Sequence, residues 1–154
     1  MRVAFSADHA GAALKDELLR RLAASGLDHE GIDLGGDGSD PNDDYPDFAQ
    51  RLGEAIQRGE ADRGILICGS GVGASVAANK MGGIRSAVCH DTYSAHQGVE
   101  HDDMNVLCLG AEIVGAELAG ELVRAFLAAR FDGGERFQRR LDKIEALEAN
   151  PTHG

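Results

Sequence analysis

A glycine-rich segment follows an apolar run near the middle of the chain, in the order Cys68-Gly69-Ser70-Gly71-Val72-Gly73. Glycines let backbone N–H groups point inward at an anion, and a helix that follows adds the positive end of its dipole. Cys68 stands where a strand would end and that helix would begin, an environment that favours the reactive thiolate over the thiol. The segment therefore predicts a site for an anion, or for negative charge that develops during a reaction.

The same segment is compatible with a dinucleotide site. Gly69, Gly71 and Ala74 satisfy the pattern G-x-G-x-x-G/A, and Asp91 follows the next strand, where an acid that binds ribose would stand. That pattern belongs in the first βαβ unit of a larger domain, and 154 residues leave no room for a second nucleotide half plus a substrate domain. Dinucleotide binding is therefore the less favoured alternative.

Acidic and histidine side chains suggest two further sites. Asp8 and His9 stand at a predicted strand-to-helix turn, where an aspartate can be a helix N-cap and a histidine an ordinary solvated residue. A second group surrounds a predicted helix and invites a metal interpretation: His90, Asp91, His96, His101, Asp102 and Asp103. His96 and His101 are five residues apart, off the i, i+4 spacing that places two ligands on one helix face, so we expect no metal site. His101 could be a general acid or a cation that caps a helix end.

Two arginines near the C-terminus have helical spacing. Arg136 and Arg140 are four residues apart, so both guanidinium groups would project from one helix face and could bind a phosphate. The alternative is a solvated basic face accompanied by Glu135 and Asp142.

Short apolar runs alternate with segments of helical periodicity and predict five strands: Val3–Ser6, Gly31–Leu34, Gly64–Cys68, Ile84–Cys89 and Asn105–Leu109. This order predicts an α/β fold, a Rossmann-like three-layer sandwich with a five-stranded parallel sheet and helices on both faces. A helix near residues 115–130 and an extra C-terminal helix would follow. Ligands bind beyond the carboxyl ends of the strands in such sheets, which is where Asp8 and Cys68 are expected.

Composition narrows the class of protein. The length predicts a single domain over residues 1–154. A net charge of -11 argues against binding to nucleic acid or to anionic membranes. The chain offers no apolar run long enough to span a bilayer, and the early Asp8 leaves no room for a signal peptide. An odd count of 3 cysteines, each in an apolar run, predicts reduced thiols and a cytoplasmic location.

Seven motifs carry a family resemblance when they are read in order along the chain. They are Asp8-His9-Ala10-Gly11, Asp44-Tyr45-Pro46, residues 67–73, Ala77-Ala78-Asn79-Lys80, Gly83-Ile84-Arg85, His101 with Asn105-Val106-Leu107, and Gly133-Gly134 with Arg136 and Arg140. Together they resemble the ribose-5-phosphate isomerase B family, which includes galactose-6-phosphate isomerase. The resemblance covers nearly the whole chain.

The resemblance implies an aldose–ketose isomerase that uses no metal or other cofactor. It implies interconversion of D-ribose 5-phosphate and D-ribulose 5-phosphate in a homodimer, or a dimer of dimers, whose sites take residues from both subunits. In it Cys68 would move a proton between C1 and C2, Ser70 would assist proton movement between O1 and O2, and Asp8 with His101 would open the sugar ring. Phosphate contacts would come from His9, Arg136 and Arg140, and further substrate contacts from Tyr45, Gly69, Gly71, Gly73 and Asp102.

One position distinguishes this chain from some relatives, and two others depart from the usual family pattern. Ala74 stands where some relatives place a glutamate base, so Cys68 is the remaining candidate for the base. Asp102 stands where the family usually has asparagine, and Glu112 where many relatives have an arginine that reaches the phosphate across the dimer interface. These acids leave the sugar open to another phosphorylated tetrose, pentose or hexose. A nucleotide- or phosphate-binding module without catalysis is the alternative from another class.

Overall fold

The structure, a computed structural model, describes residues 1–150 of the chain. Its five strands are β1 (Arg2–Ala7), β2 (Glu30–Asp33), β3 (Arg63–Cys68), β4 (Ser86–Val88) and β5 (Val106–Gly110). Its six helices are α1 (Ala12–Ala24), α2 (Tyr45–Gln57), α3 (Val72–Ala78), α4 (Thr92–Asp102), α5 (Ala116–Ala128) and α6 (Glu135–Glu148). No helix within residues 1–150 combines the length and the apolar character that crossing a membrane requires.

The five strands form one parallel sheet in the order β2-β1-β3-β5-β4. β1, β3 and β5 lie inside it and are apolar almost throughout, because helices cover both of their faces. One face packs against α1, α4 and α5 through residues such as Leu18, Val99 and Phe126. The other packs against α2 and α3 through residues such as Leu52 and Ala78. The predicted fold class is confirmed.

β4 differs most from its prediction. The run Ile84–Cys89 suggested six residues, but the strand covers only Ser86–Val88. Asn105 explains the late start, since its Oδ1 accepts the backbone N–H of Arg85 at 2.8 Å and its side-chain amide donates to the Gly83 carbonyl. These side-chain bonds hold residues 83–85 beside β5, and the Arg85 carbonyl also accepts the backbone N–H groups of Asn105 and Val106. β4 is an outermost strand of the sheet and is half-buried along its length.

The parallel strands all end at one side of the sheet, its carboxyl edge, and all begin at the opposite side, its amino edge. Because each helix runs back against the strand before it, helices begin at the carboxyl edge of the sheet and end at its amino edge. The loops after β1, β3 and β5 therefore share the carboxyl edge. The ends of α3 and α4 lie near the beginnings of β4 and β5. The Arg85 guanidinium, just before β4, donates to the Asp103 carbonyl at 2.8 Å, just after α4.

Candidate active site

Asp8 and Cys68 meet at the switch point of the sheet. The chain leaves β1 toward β2 on one side and leaves β3 toward β4 on the other, which opens a crevice between their carboxyl ends. Ala7 pairs with Ile67 in the register, and the N–H of Asp8 bonds the Ile67 carbonyl at 3.3 Å. Parallel pairing therefore holds the two candidate residues side by side at this edge.

Cys68 is a buried thiol that receives a backbone hydrogen bond. Its exposure is 4%, and the N–H of Gly71 donates to Sγ at 3.1 Å. The N–H of Val72 donates to Ser70 Oγ at 3.2 Å. The predicted anion site depended on backbone N–H groups of this loop. Two of them, those of Gly71 and Val72, donate to side chains of the same loop instead. The Gly71 N–H thus fixes the position of the Cys68 sulfur at the beginning of the loop.

Close packing shapes the glycine-rich loop. Gly71 has φ +80°, and a Cβ there would lie 3.0 Å from the Leu109 carbonyl carbon. A Cβ on Gly110 would lie 2.7 Å from the Ser70 backbone. A Cβ on Gly73 would lie 2.5 Å from the ring of Tyr45. The loop after β3 is therefore fixed between the end of β5 and Tyr45, the first residue of α2.

Asp8 is a carboxyl group buried at the same edge, with 7% exposure. Burial raises its pKa above the ordinary 3.8, although the N–H groups of Gly11 and Ala10 donate to Oδ1 at 3.2 and 3.1 Å and oppose the shift. The N-cap of α1 is Gly11, so the N-cap interpretation of Asp8 is wrong. A buried carboxyl group with a raised pKa is a candidate to donate and accept a proton in a reaction.

His9 is paired with an acid that sequence reasoning missed. Asp43 Oδ1 lies 2.6 Å from His9 Nδ1, and this hydrogen bond raises the pKa of His9 above its ordinary 6.5. Asp8, His9 and Asp43 have ligand atoms within 4.8 Å of one another, a spacing that would also suit a metal ion. In the structure, however, Asp43 is bonded to His9 itself. Only its place in the fold distinguishes Asp43 from the other aspartates of the acidic segment before α2.

His101, Asp102, Arg136 and Arg140 lie at the other edge of the sheet. His101 is in the last turn of α4, and its ring stacks on Phe137 of α6 at a centroid distance of 4.5 Å. α6 begins near the end of α4, where the N–H of Asp132 bonds the Glu100 carbonyl, and finishes where Glu148 accepts the N–H of Gly83. Arg136 and Arg140 are exposed on this helix.

The candidate residues thus form two groups in one chain. Asp8, His9, Tyr45 and Cys68 lie at the carboxyl edge, and the group that contains His101 lies at the amino edge. β3 has six residues between the edges, which at about 3.3 Å per residue is roughly 20 Å. A signal for this division was present in the sequence, because the last turn of a helix after a parallel strand lies at the amino edge.

A cavity of about 710 Å³ also lies toward the amino edge. Lys80, Arg85 and Asp102 line its polar part, and Met104 and Leu147 are among its apolar residues. Cys68 is not among the lining residues, so this cavity is separate from the carboxyl-edge group.

Two acids at the carboxyl edge have different surroundings. Asp91 is the N-cap of α4 and accepts the N–H of Ser94 at 2.6 Å. Dinucleotide binding would need this carboxylate for the ribose, but it is already bonded to the helix. Glu112 is exposed, and its carboxylate would lie 3.6 Å from a Cβ on Gly69. A negative charge therefore stands beside the glycine-rich loop, where it can influence which anion enters.

Comparison with known proteins identifies the family. The model of the ribose/galactose isomerase family matches residues 3–144. The chain belongs to this family. It is accordingly a sugar-phosphate isomerase, and the family predicted from its seven motifs is confirmed.

Individual relatives resemble the chain over nearly its full length. It is 46% identical over 147 residues to ribose-5-phosphate isomerase B of Escherichia coli, covering 96% of each chain. It is 42% identical over 153 residues to D-erythrulose-4-phosphate isomerase of Pectobacterium atrosepticum, covering 99% of each. The structure of Clostridium thermocellum ribose-5-phosphate isomerase B superposes with a TM-score of 0.91 at 45% identity, covering 97% of this chain and 98% of that one.

Proposed function

We propose that this isomerase interconverts D-ribose 5-phosphate and D-ribulose 5-phosphate, with Cys68 as the base. The observation that carries the proposal is the buried Cys68 thiol, which receives the Gly71 N–H and lies beside the buried Asp8. The relative from Escherichia coli is named ribose-5-phosphate isomerase B, and it is 46% identical to this chain over the aligned residues.

The chemistry needs a proton to move between two carbons. In the open-chain aldose the Cys68 thiolate removes the C2 proton, and the electron pair of that C–H bond forms the C1–C2 double bond of an enediolate. The negative charge gathers on O1. Ser70 Oγ assists transfer of a proton from O2 to O1, and the Cys68 thiol then returns its proton to C1. The ketose results, no net proton is gained or lost, and Cys68 is again a thiolate.

Ring opening precedes this step and calls for an acid and a base. A proton leaves the hydroxyl at C1, and another is added to the ring oxygen, which then leaves C1. Asp8, whose pKa burial raises, is suited to exchange such protons, and His101 is its proposed partner. Within one chain these residues belong to opposite edges of the sheet, so one chain does not bring them together.

A second copy of the chain resolves this separation. We infer a homodimer in which the carboxyl-edge group of one subunit faces the amino-edge group of its partner. His101 and Asp102 would then reach the sugar, and Arg136 and Arg140 its phosphate. Exposed apolar side chains at and near the carboxyl edge support a covering partner, with Val72 58% and Ile113 62% exposed. Burying such side chains favours association.

D-Erythrulose 4-phosphate is the second candidate substrate. Its support comes from a relative and not from the loop, because the Glu112 carboxylate beside Gly69 repels a phosphate there in either sugar. The relative of Pectobacterium atrosepticum carries that substrate in its name and is 42% identical.

The cellular setting remains a proposal as well. The three cysteines are unlinked, Cys68, Cys89 and Cys108 alike, which supports the predicted cytoplasmic location. One continuous sheet within residues 1–150 supports a single domain over the whole chain.

A panel of phosphorylated tetroses, pentoses and hexoses tests the substrate, with ketose formation as the readout. Cys68→Ala should lower kcat on the preferred sugar about 10²- to 10⁴-fold with little change in KM, as expected for loss of a general base. Cys89→Ala removes another buried thiol and should retain turnover. Normal turnover by folded Cys68→Ala would exclude Cys68 as the base, and ketose formation from a tetrose alone would favour the second substrate.

A further inference from the structure

Asp43 meets His9 through a single carboxylate oxygen. Oδ1 accepts the backbone N–H of His9 at 2.9 Å and lies 2.6 Å from the ring nitrogen Nδ1. The Asp43 side chain is only 15% exposed, whereas that of His9 is 37% exposed. Asp43 therefore holds the inner side of the histidine, and the rest of the ring faces the open carboxyl edge.

The acceptor character of a carboxylate determines which ring nitrogen carries a proton. A carboxylate near neutral pH offers no hydrogen, so Nδ1 must be the donor in the short contact. A neutral ring would then leave Nε2 with a lone pair, which repels an anion. Only the doubly protonated ring gives a donor at Nε2 while it keeps the bond to Asp43.

The charged groups that act on His9 all favour that doubly protonated form. Asp43 raises the pKa of His9 chiefly by its hydrogen bond, burial opposes this as the second-largest effect, and the charges of Asp43, Asp8 and Asp40 add smaller effects that raise the pKa. Asp8 belongs to the turn after β1, and Asp40 and Asp43 to the segment between β2 and α2.

We propose that Asp43 is a positioning residue of this site: it orients His9 through Nδ1 and favours the doubly protonated ring, so that Nε2–H donates to the phosphate of the sugar. The inference rests on the proposed function, in which His9 contacts that phosphate. In this proposal Asp43 makes no contact with the substrate. It acts through His9, and its effect is on substrate binding, because the phosphate is remote from the carbons between which the proton moves.

The matched variants are Asp43→Asn and Asp40→Asn. Each removes one negative charge from the same segment. Only the first removes the carboxylate bonded to His9, since Asp40 Oδ1 accepts the N–H of Asn42 at 2.9 Å instead. Asparagine can still accept the backbone N–H of His9, so Asp43→Asn is expected to fold, and thermal unfolding checks this.

The first measurement follows the His9 ring by NMR across pH without substrate. Asp43→Asn should lower the titration midpoint of His9 clearly, Asp40→Asn should lower it only slightly, and Asp43→Glu should restore part of the difference. Equal shifts in the two asparagine variants, or no shift in Asp43→Asn, would overturn the positioning role. The NMR measurement does not depend on the proposed reaction, because it uses no substrate.

The second measurement is the ratio of KM in Asp43→Asn to KM in the wild type across the same pH range. The ratio should be near one where both rings are protonated, should rise toward about tenfold between the lowered midpoint of the variant and the midpoint of the wild type, and should fall again above both, as expected for loss of a charge-assisted bond. kcat should stay nearly constant. A lowered NMR midpoint with an unchanged KM ratio would overturn the link to phosphate, whereas a wild type that turns over no sugar phosphate would overturn the proposed function.

Discussion

Gly71 offers a test of how closely the loop after β3 is packed. Its φ of +80° is a conformation that costs an L-residue about 1–2 kcal/mol. A Cβ there would also lie 3.0 Å from the Leu109 carbonyl carbon and 3.2 Å from the Gly110 nitrogen. Both neighbours are backbone atoms, which cannot rotate away as a side chain can. Overpacking of this kind typically adds about 1–3 kcal/mol.

Gly59→Ala is the matched control for Gly71→Ala. Gly59 has φ +72°, and a Cβ there would meet nothing within 4 Å. Both variants share the conformational cost and the lower entropy of the unfolded chain, so their difference isolates the packing term. We expect Gly71→Ala to be less stable than Gly59→Ala by about 2 kcal/mol, which at 2–4 °C per kcal/mol is roughly 4–8 °C in Tm.

Urea unfolding of the two variants at equal protein concentration measures this difference, since association of subunits also stabilises a folded chain. Gly71→Ala should also turn over more slowly, because the displaced loop moves the Gly71 N–H away from Cys68 Sγ. Equal destabilisation by the two substitutions would refute the packing argument.

Two further predictions concern ionisable groups: the half-exposed Asp33, which pairs with the buried Lys15, and two buried thiols. Partial burial disfavours the charge of Asp33, but the hydrogen bond from the buried Lys15 outweighs it, and the pKa of Asp33 lies below 3.8. The stability that this ion pair contributes is therefore complete above pH 3.8 and is lost as the pH falls through the lowered pKa. The difference in unfolding free energy between wild type and Asp33→Asn should therefore shrink below about pH 4, and a difference independent of pH would contradict the pairing. Burial raises the pKa of Cys89 to about 11 and that of Cys108 to about 12. Both thiols should resist iodoacetamide near about pH 8 until the chain unfolds, as mass spectrometry can check, and rapid labelling of folded Cys108 would contradict this.

Much of the fold follows from the sequence, because apolar runs and helical periods alternate clearly. The five strands and their parallel arrangement could be predicted from runs such as Gly64–Cys68, which only a sheet covered on both faces buries completely. The position of β5 between β3 and β4 could not, because periodicity records which residues are buried and not which strand lies beside which. The early part of β4 was lost to side-chain bonds of Asn105, which no strand pattern reveals.

The candidate site was predictable in part for a similar reason. Asp8 and Cys68 each follow an inner strand, so the rule on carboxyl edges brings them together. Asp43 was missed because it stands in a segment with several aspartates, and only the fold brings this one against His9. The separation of His101 from Cys68 could be inferred as well, because the last turn of a helix that follows a parallel strand lies at the amino edge.

The central claim is that one active site needs Cys68 from one copy of the chain and His101 from another. Co-refolding equal amounts of Cys68→Ala and His101→Asn, each inactive alone, tests it directly. In a dimer of shared sites, half of the molecules pair the two variants and each has one of two sites intact, so about a quarter of the wild-type activity should return. Failure to recover activity, while differently tagged variants are shown to pair, would contradict the shared site.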